Sequence, residues 1–142
     1  MPCVTPAPGG HLTYLVSHEL APPLAGFAPV DATVTLNRAR LRALNPLGTL
    51  SEVFGLWRRL RRGRFSLAID LQGYGETALL AWGCGAPQRW GMLYRPSRRW
   101  AYTRVAWRPK DRHPAECHLA LLQASGLPIS AVRNEFRLPT RA

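Results

Sequence analysis

A glycine pattern in the middle of the chain is the first feature that could bind a ligand. The spacing G-x-G-x-x-A begins at Gly73, directly after the apolar segment 65–71. In dinucleotide-binding folds, such glycines let a pyrophosphate approach the backbone at a helix N-terminus. The acidic residue expected about twenty positions later is replaced by Tyr94 and Arg95, of which the arginine could meet a 2′-phosphate. Dinucleotide binding is therefore an alternative that rests on an incomplete pattern.

A second group, formed by His113, Cys117 and His118, has side chains that can bind a metal ion. His113 and Cys117 are four residues apart, which places them on one face of a predicted helix. A structural zinc site usually takes four ligands in paired spacing, and the sequence has no second pair of that kind. We therefore predict no metal site and expect Cys84 and Cys117 to be buried and unreactive.

Arginine and tryptophan residues interleave between positions 89 and 112. The net charge is +11 at pH 7, and Lys110 is the single lysine among 19 basic residues. Aromatic rings on a basic surface suit the stacking of nucleic-acid bases. Tryptophans also fill the core of a small domain, and an excess of arginine beside alanine, proline and glycine is typical of GC-rich coding. A small arginine-rich nucleic-acid-binding module is the alternative function that these residues leave open.

Alternating strands and helices must position these residues. Apolar, β-branched segments predict strands at 11–17, 31–36, 65–71, 89–92 and 104–107. The third is nearly continuous in apolar character, as in a central parallel strand covered on both faces. Helices are predicted from a capping box at Thr49 and Glu52 to Gly63, over 77–82, over 98–102 and from His113 to Gly126, whereas 37–46 is expected to be a loop. This order indicates an α/β fold with a Rossmann-like parallel sheet.

Length and composition restrict the class of protein. A chain of 142 residues with 46% hydrophobic residues forms one ordinary domain with a packed core. Its three cysteines lack the spacing of a disulfide framework, which favours a reducing cytoplasm. The first ten residues lack the pattern of a signal peptide, and no apolar segment is long enough to span a bilayer.

Five motifs in order resemble one enzyme family. They are IDLQG at 69–73, TALL at 77–80, RWG at 89–91, HPAE at 113–116 and LALL at 119–122. Together with Tyr102 at the position of a family tyrosine, they resemble the N-terminal half of glycosyltransferase family 9, the lipopolysaccharide heptosyltransferases, over about residues 8–127. Glu76 and Cys117 depart from the family pattern, which usually has basic residues there.

The resemblance implies a GT-B fold, which has two Rossmann-like domains with the active site between them. This chain would be an incomplete N-terminal, acceptor-side domain over 11–127, with an irregular segment at 1–10 and a tail or interdomain linker at 128–142. The implied reaction is metal-independent transfer of a heptose or related sugar to an anionic lipopolysaccharide core acceptor. The donor would be a nucleotide sugar such as ADP-heptose, with no other cofactor, and no specific nucleic-acid partner is expected.

The resemblance also implies which residues meet the acceptor. Asp70, Gln72 and Gly73 would lie at the rim of the cleft. Phosphates or carboxylates of the acceptor would be contacted by Arg89, Arg95, Arg98, Arg99 and His113. The alternative is that Asp70 and Gln72 cap neighbouring turns and that the arginines are solvated.

Two parts of the family pattern have no counterpart in this sequence. They are a first strand with a Gly-Asp loop that carries the candidate general base, and a C-terminal donor-binding domain. We therefore expect a truncated reading frame that transfers no sugar alone, unfolds with a weak transition and has no assignable catalytic residue. The resemblance implies a cytoplasmic location with peripheral contact to the inner membrane, and a separate donor domain as a partner.

Overall fold

A computed structural model describes residues 10–24, 26–27, 30–43, 45–108 and 111–126. Predictions for residues 1–9 and 128–142 lie outside this part of the chain. The described residues divide into two compact units, one ending at Leu50 and one beginning at Ser51.

The strands form two parallel sheets, one in each unit. Within the described ranges the strands are β1 Thr13–Ser17, β2 Ala32–Leu36, β3 Leu67–Asp70, β4 Gln88–Leu93 and β5 Arg104–Trp107. In the first unit β1 pairs with β2, and in the second unit the order is β3-β4-β5. Because parallel strands need crossover connections, helices alternate with the strands. The predicted α/β fold with a Rossmann-like parallel sheet is confirmed.

Helices make the connections. They are α1 Ala21–Leu24, α2 Arg38–Ala43, α3 Pro46–Arg62, α4 Gly75–Gly83 and α5 Pro114–Ala124, with 3-10 helices at His18–Leu20 and Pro96–Ala101. In the part of the chain that the structure describes, no helix is both long and apolar enough to cross a membrane.

Two predictions around the start of α3 were wrong. The helix begins at Pro46, where the Asn45 side chain accepts the Gly48 amide at 2.7 Å, so Thr49 lies inside the helix instead of capping it. Residues 37–46 were expected to form a loop, but they contain α2. The Asn37 side chain caps this helix by accepting the Arg40 amide at 2.8 Å. Asparagine caps a helix as well as threonine does. The prediction from sequence did not consider Asn37 and Asn45 as caps.

The central strand of the second sheet is β4. The sequence had instead predicted that segment 65–71, which contains β3, would be the central strand. Among the described residues β3 pairs only with β4, whereas β4 pairs on both sides. Residues 90–93 of β4 are buried, and their side chains alternate between two core clusters. Trp90 and Met92 pack with Cys117 and Leu121 of α5 on one face. Leu93 packs with Ala78, Ala101 and Tyr102 on the other face.

Candidate functional site

A buried carboxylate organises the carboxyl end of the second sheet. Asp70 ends β3 and is only 6% exposed. Its Oδ1 accepts the backbone amides of Gln72 at 2.9 Å and Gly73 at 3.0 Å, and its Oδ2 accepts the Tyr102 hydroxyl at 2.6 Å. An aspartate that accepts amides two and three residues ahead fixes a tight turn. Asp70 therefore fixes the loop between β3 and α4 and ties it to the loop before β5.

Gly73 allows this loop to pass against the next strand. Its φ is +68°, and a Cβ built there would lie 2.0 Å from the backbone oxygen of Met92. Arg98 adds a second tie, because its Nη1 donates to the Gly73 carbonyl at 2.6 Å. A side chain at position 73 would thus meet rigid backbone, which explains the glycine in the motif.

The absence of a side chain at Gly91 leaves room for the Tyr102 ring. A Cβ at position 91 would lie 2.4 to 2.5 Å from atoms of the Tyr102 ring. The ring therefore lies directly over the backbone of β4, which brings its hydroxyl to Asp70. Asp70, Gly73, Gly91 and Tyr102, which belong to separate motifs, thus hold the loops together in one interlocked structure.

Burial raises the pKa of Tyr102 above its usual range, and the hydrogen bond to the Asp70 carboxylate raises it further. The charge of Asp70 acts in the same direction, while the positive Arg98 lowers the pKa of the phenol. Tyr102 is therefore a neutral donor at physiological pH.

We expect this tyrosine to make the protein sensitive to alkali. The unfolded chain loses the phenol proton near pH 10, but the folded chain keeps it. Stability is therefore fully present below pH 10 and falls as the pH rises above it, by at most ~1.4 kcal/mol per pH unit. Denaturant unfolding between pH 8 and 11.5 measures this slope. Tyr102→Phe should have a shallower slope, and Tyr74→Phe, at an exposed tyrosine, should keep it.

Three of the four predicted arginines donate hydrogen bonds to backbone carbonyls of these loops. Arg89 donates to Ala101 at 2.8 Å and Ala86 at 2.6 Å, and Arg99 donates to Tyr102 at 2.9 Å. The third is Arg98 on Gly73. These guanidinium groups stabilise the loops, and each has further donors. Arg104, outside the predicted set, likewise binds the Ser125 carbonyl.

The other predicted residues lie at the same edge of the sheet. Gln72 and Arg95 are exposed, and Arg95 immediately precedes the 3-10 helix Pro96–Ala101. His113 caps α5, with its Nδ1 accepting the Ala115 amide at 3.2 Å. Because that nitrogen is an acceptor here, the imidazole has only Nε2 for a ligand.

Sequence reasoning missed an aromatic and cationic cluster beside these residues. The Tyr74 and Tyr94 rings are stacked, with centroids 5.8 Å apart and planes within 6°. The Arg108 guanidinium lies over the Tyr94 ring, 5.0 Å from its centroid, and contacts the Tyr94 hydroxyl. Tyr94 directly follows β4, and Arg108 directly follows β5. Their positions at the carboxyl ends of parallel strands were the sequence signal that could have indicated this cluster.

His118 of α5 is a further titratable group at this edge. Burial lowers its pKa, a hydrogen bond with the Leu71 backbone raises it, and the charge of Arg108 lowers it. The net effect is a lower pKa, so the imidazole is neutral at physiological pH.

The comparisons with known proteins agree on one family. The model of glycosyltransferase family 9 (heptosyltransferase) matches residues 53–141. A solved family 9 glycosyl transferase from Veillonella parvula superposes with a TM-score of 0.73 at 22% identity, over 89% of this chain and 35% of that chain. No curated protein matches.

Two structures of the E. coli heptosyltransferase WaaC also match. The complex with ADP gives a TM-score of 0.70 at 20% identity, and the complex with ADP-2-deoxy-2-fluoro heptose gives 0.68 at 21%. Each match covers 85% of this chain and 40% of that chain. The chain thus spans well under half the length of these structures.

These superpositions show that the chain has the fold of part of a GT-B glycosyltransferase, as the resemblance implied. The nucleic-acid-binding alternative gains no support from them. The family match covers more than half of the sequence and includes the motifs that form the interlocked loops. The chain belongs to glycosyltransferase family 9, the heptosyltransferase family.

Proposed function

We propose that the carboxyl edge of the β3-β4-β5 sheet binds an anionic sugar acceptor in a heptosyltransferase-type reaction. The observation that carries this proposal is that three consecutive strand ends bring polar, aromatic and cationic side chains to one edge, around a fixed turn. Open α/β sheets bind ligands at such edges. The interlock of Asp70, Gly73 and Tyr102 supports the turn without using the exposed side chains of Gln72 and Arg95.

The chemistry of the edge suits an acidic sugar. Arg95 is exposed, and a guanidinium can bind a carboxylate or phosphate through two parallel hydrogen bonds. Tyr74 is 54% exposed and has an apolar ring with a polar hydroxyl, which suits the mixed surface of a sugar. Gln72 offers both an amide donor and a carbonyl acceptor to sugar hydroxyls.

In the full enzyme, we propose, the acceptor is a lipopolysaccharide core sugar and the donor is a nucleotide sugar. The support is family membership and the ADP and ADP-sugar complexes of the E. coli enzyme. Such an acceptor is attached to lipid, so the proposed location is the cytoplasmic face of the inner membrane. Residues 11–127 form the acceptor-side domain in this proposal.

Acceptor binding by the 142-residue chain tests the proposed site. Isothermal titration with an anionic inner-core oligosaccharide should show binding that Arg95→Gln weakens about tenfold, because one charge-assisted contact is lost. Arg59→Gln, which removes an exposed arginine from the last turn of α3, is the matched control and should bind like the unmodified chain.

A second ligand separates recognition from general charge attraction. An oligosaccharide of the same size without carboxylates or phosphates should bind more weakly and should be insensitive to Arg95→Gln. Equal losses in Arg95→Gln and Arg59→Gln would contradict the proposed site, because they would indicate attraction by net charge alone.

A further inference from the structure

Two parallel tyrosine rings lie at the carboxyl edge of the β3-β4-β5 sheet. We call Tyr74 and Tyr94 the tyrosine stack; Tyr74 directly precedes α4, and Tyr94 directly follows β4. Their centroids are 5.8 Å apart and their planes lie within 6°, which is the offset arrangement that aromatic pairs favour. The tyrosine stack is thus a preformed pair of rings at the edge where open α/β sheets bind ligands.

Tyr94 is the inner ring of the stack and is held by its neighbours. The Arg108 guanidinium lies over the ring, 5.0 Å from its centroid, and also contacts its hydroxyl. The Arg108 amide donates to the Leu93 carbonyl at 3.0 Å, which keeps Arg108 beside Tyr94 where β4 and β5 end. A Cβ at Gly73 would lie 3.2 Å from Cδ2 of Tyr94, so the ring also lies beside the fixed turn. These contacts hold the Tyr94 ring in one orientation.

Tyr74 is the outer ring, and it is 54% exposed whereas Tyr94 is 38% exposed. Its backbone is fixed at the start of α4, because its amide donates to Oγ1 of Thr77 at 3.0 Å and its carbonyl accepts the Ala78 amide at 2.9 Å. One face of the Tyr74 ring lies towards Tyr94, which leaves the opposite face open to solvent. A ligand that binds this face meets a ring that is already ordered, so the entropy cost of binding is small.

We propose that the open face of Tyr74 stacks against the apolar face of a pyranose ring of the acceptor, and that Arg108 is a positioning residue that orients Tyr74 through Tyr94. This inference rests on the proposed function and adds the class of sugar that the edge selects, one whose ring has a continuous face of C–H groups. The face of an aromatic ring is electron-rich and attracts the slightly positive hydrogens of C–H groups. Removal of both apolar faces from water strengthens the contact.

The tyrosine stack and Arg95 recognise different properties of the acceptor. Arg95 directly follows Tyr94 in extended backbone, with φ −139° and ψ 137°, so the two side chains point to opposite sides of the chain. Arg95 binds a carboxylate or phosphate, whereas the stack is uncharged and binds the ring whatever charge its substituents have. The charge of the ligand therefore separates the two contacts experimentally.

Isothermal titration of the 142-residue chain with two oligosaccharides tests the stacking contact. The ligands are the anionic inner-core oligosaccharide and an uncharged oligosaccharide of the same size. Tyr74→Ala should weaken the binding of both about tenfold, because the ring contact does not depend on the charge of the ligand. Tyr74→Phe keeps the ring and should bind both within about twofold of the unmodified chain. Phe54→Ala, which removes a ring that is 60% exposed on α3, is the matched control and should leave both affinities unchanged.

Arg108→Gln tests the positioning role in the same titrations. It should weaken the binding of both oligosaccharides by a similar factor, about threefold, because it loosens the Tyr94 ring that supports Tyr74. Arg108→Lys should restore part of this loss, since an ammonium group can also lie over an aromatic ring. A loss confined to the anionic oligosaccharide would show that Arg108 contacts the acceptor directly, which contradicts the positioning role.

The stacking contact and the proposed function fail in different ways. If Arg95→Gln weakens the anionic ligand but Tyr74→Ala changes neither affinity, the stacking contact is overturned and the acceptor site stands. If neither oligosaccharide binds the unmodified chain, both are overturned. Circular dichroism verifies that each variant is folded. Tyr74→Leu, which keeps apolar bulk without an aromatic face, should also weaken both ligands and replaces Tyr74→Ala if that variant does not fold.

Discussion

Gly73→Ala is expected to destabilise the protein by about 3 kcal/mol or more. Two costs add at this position. The φ of +68° is unfavourable for alanine, by about 1 to 2 kcal/mol. The new Cβ would also lie 2.0 Å from the Met92 carbonyl oxygen, which belongs to the central strand and cannot move without disturbing the sheet.

Gly85→Ala is the matched control for this prediction. Gly85 has a similar φ of +76°, but its nearest neighbour would be Cγ of Arg61 at 3.7 Å, an ordinary contact with a flexible side chain. Its cost should be the backbone cost alone, about 1 to 2 kcal/mol. Urea unfolding followed by tryptophan fluorescence measures both. Equal destabilisation by the two variants would show that the loop does not approach β4 as closely as the structure has it.

Asp70→Ala is expected to cost about 3 kcal/mol, because it removes the acceptor of three hydrogen bonds at once. The Gly73 amide and the Tyr102 hydroxyl would be left buried without their partner. Asp70→Asn is the conservative control. Its carbonyl oxygen can accept the two amides, and its amide can donate to the phenol oxygen, so we expect a loss of about 1 kcal/mol.

A double-mutant cycle checks that Asp70 acts through Tyr102. Tyr102→Phe removes one hydrogen bond, and its effect should be smaller in the Asp70→Ala background than in the unmodified chain. The measurement is the unfolding free energy of the four proteins at pH 7. Strictly additive losses would mean that the two side chains are energetically independent, contrary to their 2.6 Å contact.

Local patterns predicted much of the second unit. The apolar run before Asp70, the glycine turn after it and the proline at the start of α5 were recognised because each depends on residues close in sequence. The strand β5 was predicted with the bounds that the structure shows. At α3 the same reasoning failed, since Asn45 and Thr49 are both acceptable caps and sequence spacing does not choose between them.

The candidate site depends on long-range contacts more than the elements around it do. Motif resemblance led to Asp70, Gly73 and Arg89 as acceptor-site residues, and the structure shows that they also hold the loops by hydrogen bonds. The stacked Tyr74 and Tyr94 went unnoticed, since they lie twenty positions apart and meet only because β3 and β4 are neighbours. Contacts of this kind depend on which strands are neighbours in the sheet, and local sequence patterns do not show the strand order.

The sequence by itself determined the fold class, the order of most strands and helices, and the family, because apolar periodicity, turn residues and short motifs are local properties. The tertiary structure alone decided which strand is central and which side chains form hydrogen bonds within the turn. It also decided which of the five tryptophans contact one another. The physical reason is that parallel pairing brings together residues far apart in the chain, and that close packing then assigns each side chain its neighbours.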